Sequence, residues 1–284
     1  MGNRVSRNRA ANRTQDTWRV VAATAVGTSH HRAGKGCEDH FDSMTLSTDL
    51  HVFAVADGAG SATRAADGAH VVVAASLKAA QQVLEGNSQP DSEDGWNRLL
   101  NFILSEVRHT LETMTTTSLS LLPGAVLDDL ETYPLQLVVP LREYAATLLM
   151  AIISKDWIAL LQLGDGMIVI ETGRQEYWCP VPPAHDSQYV NDTHFITDPN
   201  YYEFAHYRSL PAVHVRGVAL LTDGLQLLAS DIATQEPHPP FFKPLFAFAS
   251  RSDATNKDLE AFLTSDRVCQ RTDDDKTLVL AVRM

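Results

Sequence analysis

Runs of hydrophobic residues recur along the chain in two patterns, short β-branched runs and longer segments whose apolar positions repeat every three or four residues. The short runs predict strands over residues 18–27, 51–56, 145–154, 157–163, 167–170, 213–221 and 278–282, with another near 203–207. The longer segments predict amphipathic helices over 65–85 and 99–114, and shorter helices over 225–230 and 257–263. We therefore expect one domain of mixed strands and helices, over residues 17–284.

Polar segments separate these elements. Residues 28–39 and most of 173–211 are predicted to be loops, 115–140 an irregular connection, and 237–240 a proline-rich interruption. Residues 1–16 are rich in Arg and Asn, and we interpret them as a flexible basic tail. The hexamer from Met1 to Ser6 matches a myristoylation pattern, but such hexamers are common by chance, so a frayed tail is the preferred interpretation.

Composition narrows the class of protein. The 284 residues are 44% hydrophobic and 20% charged, which favours a folded domain over a disordered chain. The net charge of −12 argues against nucleic acid as a partner. Three cysteines without metal-binding spacing indicate neither a disulfide framework nor a zinc site, so a reducing cytoplasm is the expected location. The apolar runs are too short for a membrane span.

Acidic residues follow the predicted strands in a repeated arrangement. An apolar strand is followed by Asp-Gly at Asp57, Asp165 and Asp223, and the acidic run 273–275 stands just before the last strand. A single Asp-Gly pair is most often an ordinary turn. Several carboxylates meeting at one sheet edge would repel one another, so their pKa values would rise or a divalent cation would neutralise them. Oxygen ligands of this kind suit Mg²⁺ or Mn²⁺.

Taken in order, these residues resemble the motifs of the metal-dependent type 2C protein serine/threonine phosphatases, and in particular the bacterial branch of that family. The matching segments are Gly27-Thr28-Ser29-His30, Cys37-Glu38-Asp39, Val55-Ala56-Asp57-Gly58-Ala59-Gly60-Ser61, Ala146-Thr147-Leu148, Leu163-Gly164-Asp165-Gly166, Leu221-Thr222-Asp223-Gly224 and Asp274-Asp275-Lys276-Thr277-Leu278. The resemblance implies an α+β fold, a four-layer α-β-β-α sandwich of two antiparallel sheets flanked by helices, with metals in a cleft at one edge.

The resemblance also implies roles for individual residues. Asp57 would bridge two Mg²⁺ or Mn²⁺ ions, and Gly58 would offer its carbonyl oxygen to one of them. Asp223 and Asp274 would complete the shell of the first ion, and Asp274 is chosen over its acidic neighbours only by its spacing to Thr277. In the same way, Glu38 would lie near the second ion, Asp39 would hydrogen-bond a metal-bound water, and Asp165 would bind a third, weaker ion.

The chain departs from the family pattern at three positions. Gly34 stands where many members have an arginine that binds the substrate phosphate, so Arg32, Lys35 or Arg64 is expected to replace it. Ala59 stands where eukaryotic members have a histidine, which leaves proton delivery to a metal-bound water, His30 or His31. Leu227 stands where some members have a further acid, which weakens the case for a third ion.

The expected reaction is hydrolysis of phosphoserine or phosphothreonine on a protein by a water activated between two cations, with Asp57, Asp223, Asp274 and His30 as catalytic residues. Cysteine-based chemistry is disfavoured because no Cys-x5-Arg loop is present. The alternative is a catalytically silent module that binds a phosphoprotein or a kinase. The expected partners are a phosphorylated protein and a cognate serine/threonine kinase, and we expect a monomer.

Overall fold

The computed structural model describes residues 17–120, 139–181, 193–231 and 234–284, with the backbone alone for 116–120. The strands are β1 Trp18–Ala25, β2 Asp39–Ser47, β3 Leu50–Asp57, β4 Leu148–Ile153, β5 Trp157–Leu163, β6 Met167–Thr172, β7 Tyr177–Trp178, β8 His206–Pro211, β9 Val215–Leu221 and β10 Lys276–Arg283. The helices are α1 Thr28–Ala33, α2 Ala65–Leu84, α3 Glu93–Ser120, α4 Gln226–Ala229, α5 Pro239–Ala249, α6 Asn256–Leu263 and α7 Asp266–Cys269. The predicted N-terminal tail, its acylation pattern and residues 121–138 lie outside the described residues.

The described strands form two antiparallel sheets of five strands each. Sheet A has the order β1-β10-β9-β6-β7, and sheet B has the order β2-β3-β4-β5-β8. The first and last strands pair along their whole length, from Trp18 opposite Arg283 to Ala25 opposite Lys276. Consequently the first and last strands of the described chain lie side by side in sheet A.

Three apolar clusters separate four layers. One cluster lies between the sheets and takes buried residues from both, such as Phe53 and Leu149 of sheet B and Val218 and Val279 of sheet A. A second packs α2 and α3 on sheet B, and a third packs α5, α6 and α7 on sheet A. Alternate residues of a strand face opposite sides of its sheet. Because both sides of each sheet are covered by an apolar cluster, the central strands are apolar on both faces. The expected four-layer α-β-β-α sandwich is confirmed.

Four local expectations were wrong. Residues 28–39 were expected to form only loop, but they contain α1 and lead into β2. Strand β2 was missed because many of its residues are exposed and it has no continuous apolar run. The segment 237–240 was expected only to interrupt the chain, but its Pro239 and Pro240 begin α5, because proline fits the first helical turn, where no backbone donor is needed. Pro237 lies before the helix, in a bridge with Ser230. The helix predicted to end near residue 114 continues to Ser120. The strand predicted near 203–207 is present, but it is shifted to His206–Pro211 as β8.

Within the parts of the chain described, no helix combines the length and apolarity that crossing a bilayer would require.

Candidate active site

The sequence-predicted acidic residues gather at one edge of the sandwich, where strands of both sheets begin or end. Asp57 closes β3, and Asp39, which opens β2, lies opposite it in the strand pair. Asp165 follows β5, Asp223 follows β9, and β10 begins just after the acidic run 273–275. The antiparallel pairing of β9 with β10 places Asp223 beside the acidic run, and the pairing of β2 with β3 places Asp39 beside Asp57, so residues from distant parts of the sequence meet.

Three carboxylates form the centre of the site. Asp57, Asp165 and Asp223 each present an oxygen, and these oxygens all lie within 4.8 Å of one another. Burial, followed by the nearby charges of Asp39 and Asp223, raises the pKa of Asp57 to about 11. Burial and the charges of Asp165 and Asp274 raise the pKa of Asp223 to about 6. The cluster therefore lacks positive charge, and a divalent cation would supply it.

Asp57 and Gly58 are held in position by backbone contacts. The Asp57 N–H donates to Thr147 Oγ1 at 3.0 Å, and the Thr147 N–H donates back to the Asp57 carbonyl at 2.8 Å. A β-carbon at Gly58 would lie 2.4 Å from the carbonyl oxygen of Ala65, so only glycine fits there. These contacts explain why this tight Asp-Gly turn follows β3.

Asp39 is buried between the sheets and linked to sheet A. The hydroxyls of Thr222 and Thr277 each donate to Asp39 Oδ2 at 2.8 Å, whereas Asp39 Oδ1 is buried and finds no hydrogen-bond partner in the described parts of the chain. Burial raises its pKa to about 7, although the two threonine hydroxyls act in the opposite direction. Asp39 thus borders the cluster and has one oxygen available to a ligand or water.

Glu38 has an unsatisfied oxygen on the same edge. Its Oε2 is buried and has no hydrogen-bond partner among the described residues, and His30 Nε2 lies 3.7 Å from it. Its Oε1 accepts from Lys35 Nζ at 3.3 Å. An uncompensated buried carboxylate oxygen is costly, and a cation is the natural partner for it.

Of the acidic run 273–275, Asp274 and Asp275 occupy different environments. Asp275 is 3% exposed and accepts hydrogen bonds from Gly27 N at 2.5 Å, Glu38 N at 2.6 Å and His30 Nδ1 at 2.9 Å. Both oxygens of its carboxylate therefore accept hydrogen bonds, and these bonds join the segment between β1 and β2 to the start of β10. No hydrogen bond or ion pair involves the carboxylate of Asp273 among the described residues.

Asp274 lies exposed beside the Asp223 turn. A β-carbon on Gly224 would lie 3.5 Å from Asp274 Cβ and 1.8 Å from the Asp275 carbonyl oxygen. The two segments are thus in direct contact, and the charge of Asp274 reaches Asp223. Asp274 is therefore near the cluster, but it is not one of the three carboxylates whose oxygens converge.

Asp165 has a partner that the sequence did not reveal. The hydroxyl of Thr193 donates to Asp165 Oδ2. The segment after Thr193 is fixed by Arg108 of α3, which donates to the carbonyls of Ile196 and Asp198 at 2.8 and 2.9 Å. Thr193 stood in a stretch predicted to be mostly loop, and only the folded chain brings it to Asp165.

The three candidate phosphate-binding residues have different contacts. Lys35 contacts Glu38, one of the predicted metal ligands. Arg32 donates to Thr28 at 3.3 Å on the exposed face of α1, and Arg64 pairs with Asp67 at 3.1 Å. Lys35 is therefore the candidate that the structure links directly to the acidic residues. His31 is exposed on α1.

Comparisons with known proteins agree with this geometry. The model of the family described as protein phosphatase 2C matches residues 26–264. Serine/threonine-protein phosphatase 3 of Escherichia coli (strain K12) is 34% identical over 279 residues, which cover 94% of this chain and 98% of the relative.

Two solved structures show the same fold at lower identity. Serine/threonine phosphatase Stp1 from Staphylococcus aureus superposes with a TM-score of 0.56 at 14% identity, covering 93% of this chain and 94% of that one. Serine-threonine phosphatase 2C from Toxoplasma gondii gives a TM-score of 0.56 at 16% identity, covering 94% and 95%. Since the family model and the E. coli relative both extend over most of the sequence, the chain belongs to the protein phosphatase 2C family of enzymes.

Proposed function

We propose that this protein hydrolyses phosphate monoesters on serine and threonine side chains of proteins, at a centre of two Mg²⁺ or Mn²⁺ ions. The observation that carries the proposal is the convergence of Asp57, Asp165 and Asp223, whose oxygens lie within 4.8 Å of one another. Membership of a metal-dependent phosphatase family supports the same reaction.

The donor set fits divalent cations of this kind. We propose that Asp57, the Gly58 carbonyl, Asp223 and Asp274 would hold the first ion. Asp57 and Glu38 would hold the second, and Asp165 would hold a third. The unpartnered Oε2 of Glu38 and Oδ1 of Asp39 support this assignment because each is a buried oxygen that needs a positive or donating partner. When bound, such ions supply a water of lowered pKa and neutralise the phosphoryl oxygens.

The chain's own side chains would orient the substrate and handle a proton. Lys35 Nζ, placed by its contact with Glu38, would bind a phosphoryl oxygen in place of the family's arginine. When His30 donates from Nδ1 to Asp275, its Nε2 faces Glu38 at the edge of the site. We propose that the doubly protonated ring, which carries a second proton on Nε2, delivers that proton to the leaving serine or threonine oxygen and returns to its neutral form.

The test is hydrolysis of p-nitrophenyl phosphate and of a phosphothreonine peptide in Mn²⁺, with the wild type, Asp57→Asn and Asp274→Asn. We expect both variants to lose activity. Asp273→Asn is the matched control, because its side chain makes no hydrogen bond among the described residues, and it should behave like the wild type. Activity that survives chelation or the Asp57 change would overturn the proposed site.

The alternative, a silent module that binds a phosphoprotein or a kinase, rests on Gly34, where many members have an arginine, and on Ala59, where eukaryotic members have a histidine. A wild type that binds Mn²⁺ by calorimetry but turns over neither substrate would establish the alternative.

Lys35→Met should raise KM for the peptide while Arg64→Met leaves it unchanged. An equal effect of both changes would contradict the assignment of Lys35.

We also propose that the enzyme works as a monomer in the cytoplasm, opposite a serine/threonine kinase that phosphorylates its substrates. The free state of Cys37, Cys179 and Cys269 fits a reducing compartment. Sedimentation of the full chain tests the monomer, and fractionation of cells tests the location.

A further inference from the structure

A cavity of about 780 Å³ lies among α4, α5, α6 and α7, on the helical side of sheet A. It includes none of the clustered carboxylates of the active site. One wall is α4, which follows the turn that begins at Asp223. The cavity is therefore a separate feature beside the active site, and it falls in the size range of sites for small organic molecules.

The lining of this cavity is mainly apolar and aromatic. Phe241 and Phe248 of α5 and Phe262 of α6 contribute rings, and Leu227 of α4 lies at the rim. Leu227 is 70% exposed, although it belongs to a helix whose other apolar residues face the core. An exposed leucine beside an aromatic cavity indicates a surface that gains free energy when an apolar group covers it.

Two positive charges at the cavity have no partner. Arg267 on α7 and Arg271 just after it both line the cavity, and within the described ranges neither guanidinium makes a hydrogen bond or an ion pair. The acids that line the cavity are already engaged. Asp258 accepts from the backbone and hydroxyl of Thr255, and Asp231 Oδ1 accepts from Thr234 N at 3.1 Å. Among the charged side chains of the lining, the two guanidinium groups are therefore the ones that make no hydrogen bond or ion pair within the described residues.

A third polar group is also available. Ser230 lines the cavity, and its Oγ is buried without a hydrogen-bond partner among the described residues. A buried hydroxyl without a partner is unusual, and a rotation of the serine side chain would turn it toward a ligand oxygen in the cavity. The cavity therefore offers apolar rings, two unpaired guanidinium groups and one unsatisfied hydroxyl together.

We infer that this cavity is a binding site for a small anion with an apolar body, namely a carboxylate carried on an acyl chain or an aromatic ring. The apolar part would contact the phenylalanine rings and Leu227. The carboxylate would pair with Arg267 and Arg271, whose planar donors suit it. Nothing in this inference depends on the phosphatase reaction.

Calorimetric titration of the full chain tests the site. The probes are octanoate for the acyl class, 2-naphthoate for the aromatic class, and octanol as the neutral counterpart of octanoate. We expect at least one carboxylate to bind and to bind more tightly than octanol. The double change Arg267→Gln and Arg271→Gln should weaken the binding of that carboxylate about fivefold and leave octanol unaffected.

Two further variants separate binding from folding. Leu227→Glu places a negative charge at an exposed rim position, so it should weaken carboxylate binding without unfolding the protein. Arg98→Gln removes an exposed guanidinium from α3, on the other side of the sandwich, and should leave binding unchanged. The inference is overturned if neither carboxylate binds, if octanol binds as tightly as octanoate, or if the Arg98 change has the effect of the double change.

Discussion

Replacing Asp275 with asparagine tests how the loops of the active site are held together. The carboxylate accepts from Gly27 N on Oδ1, and from Glu38 N and His30 Nδ1 on Oδ2. Asparagine has nearly the same shape but only one accepting oxygen. Whichever way the amide is oriented, its NH₂ group faces at least one N–H donor.

The expected cost follows from these contacts. A hydrogen bond to a charged group contributes about 1.5–3 kcal/mol, and a buried donor left without an acceptor costs about 1–3 kcal/mol. Because Asp275 is 3% exposed, water cannot readily replace the lost acceptor. We therefore expect Asp275→Asn to lower the free energy of unfolding by about 3 kcal/mol, a large fraction of the stability of a typical domain.

Urea denaturation in the presence of a chelator measures this change, followed by the fluorescence of the chain's four tryptophans. The slope of the transition should be unchanged, so that the midpoint reports stability alone. Asp273→Asn, two positions earlier in the same acidic run, should move the free energy by less than about 0.5 kcal/mol. A midpoint for Asp275→Asn equal to that of the wild type would refute the reasoning that this carboxylate joins the loops.

Four other predictions concern the acidic edge. The metal-free protein should lose stability as pH rises from about 4 to about 7. In the folded protein Asp39 and Asp223, with pKa values of about 7 and about 6, still hold their protons, whereas in the unfolded chain these groups release them near pH 3.8. Asp57→Asn should accordingly stabilise the metal-free protein at pH 8 by about 2 kcal/mol in thermal or urea unfolding, since it removes a buried carboxyl with a raised pKa. Gly224→Ala should abolish activity and destabilise the fold by at least about 2 kcal/mol, because the new methyl group would overlap a backbone carbonyl. Thr193→Val should weaken Mn²⁺ binding about tenfold in calorimetry through the loss of its hydrogen bond to a cluster carboxylate.

Three of these four predictions have a matched control or a result that would contradict them. A metal-free stability that is flat or rises over the same pH range would contradict the raised pKa values. Gly36→Ala meets no atom within 4 Å and should leave the enzyme active and stable. Thr110→Val, on the exposed surface of α3, should leave Mn²⁺ affinity unchanged, and an equal loss in both threonine variants would show that the Thr193 contact has no special role.

The sequence predicted much of the fold because its central strands are apolar on both faces. Strands such as β3 and β9 are continuous hydrophobic runs that end at Asp-Gly, so their boundaries are visible without any knowledge of their neighbours. Strand β2 is different, since most of its outward residues are polar and its partner β3 supplies the pairing. Helix α5 was hidden because Pro244 lies within it, and its apolar contacts with sheet A offset the usual cost of an internal proline.

Without the family resemblance, which pointed to Glu38 and Asp39, the candidate site was predictable only where one local pattern repeats. Asp57, Asp165 and Asp223 share the arrangement of a strand followed by Asp-Gly, and the structure brings their oxygens together. By contrast, the contact of Thr193 with Asp165 and the role of Asp275 depend on side chains that meet only after folding. No local pattern distinguishes Asp275 from its acidic neighbours, because its partners lie 237 to 248 residues away along the chain.

The pairing of β1 with β10 has a consequence for the protein during its synthesis. Sheet A cannot be completed, and the loop after β1 cannot be fastened by Asp275, until β10 has left the ribosome. Contacts of such long sequence separation form late, because the chain must first be closed over its whole length. We therefore expect a nascent chain to be inactive until β10 has left the ribosome and paired with β1, so that the incomplete enzyme does not act on phosphoproteins around it.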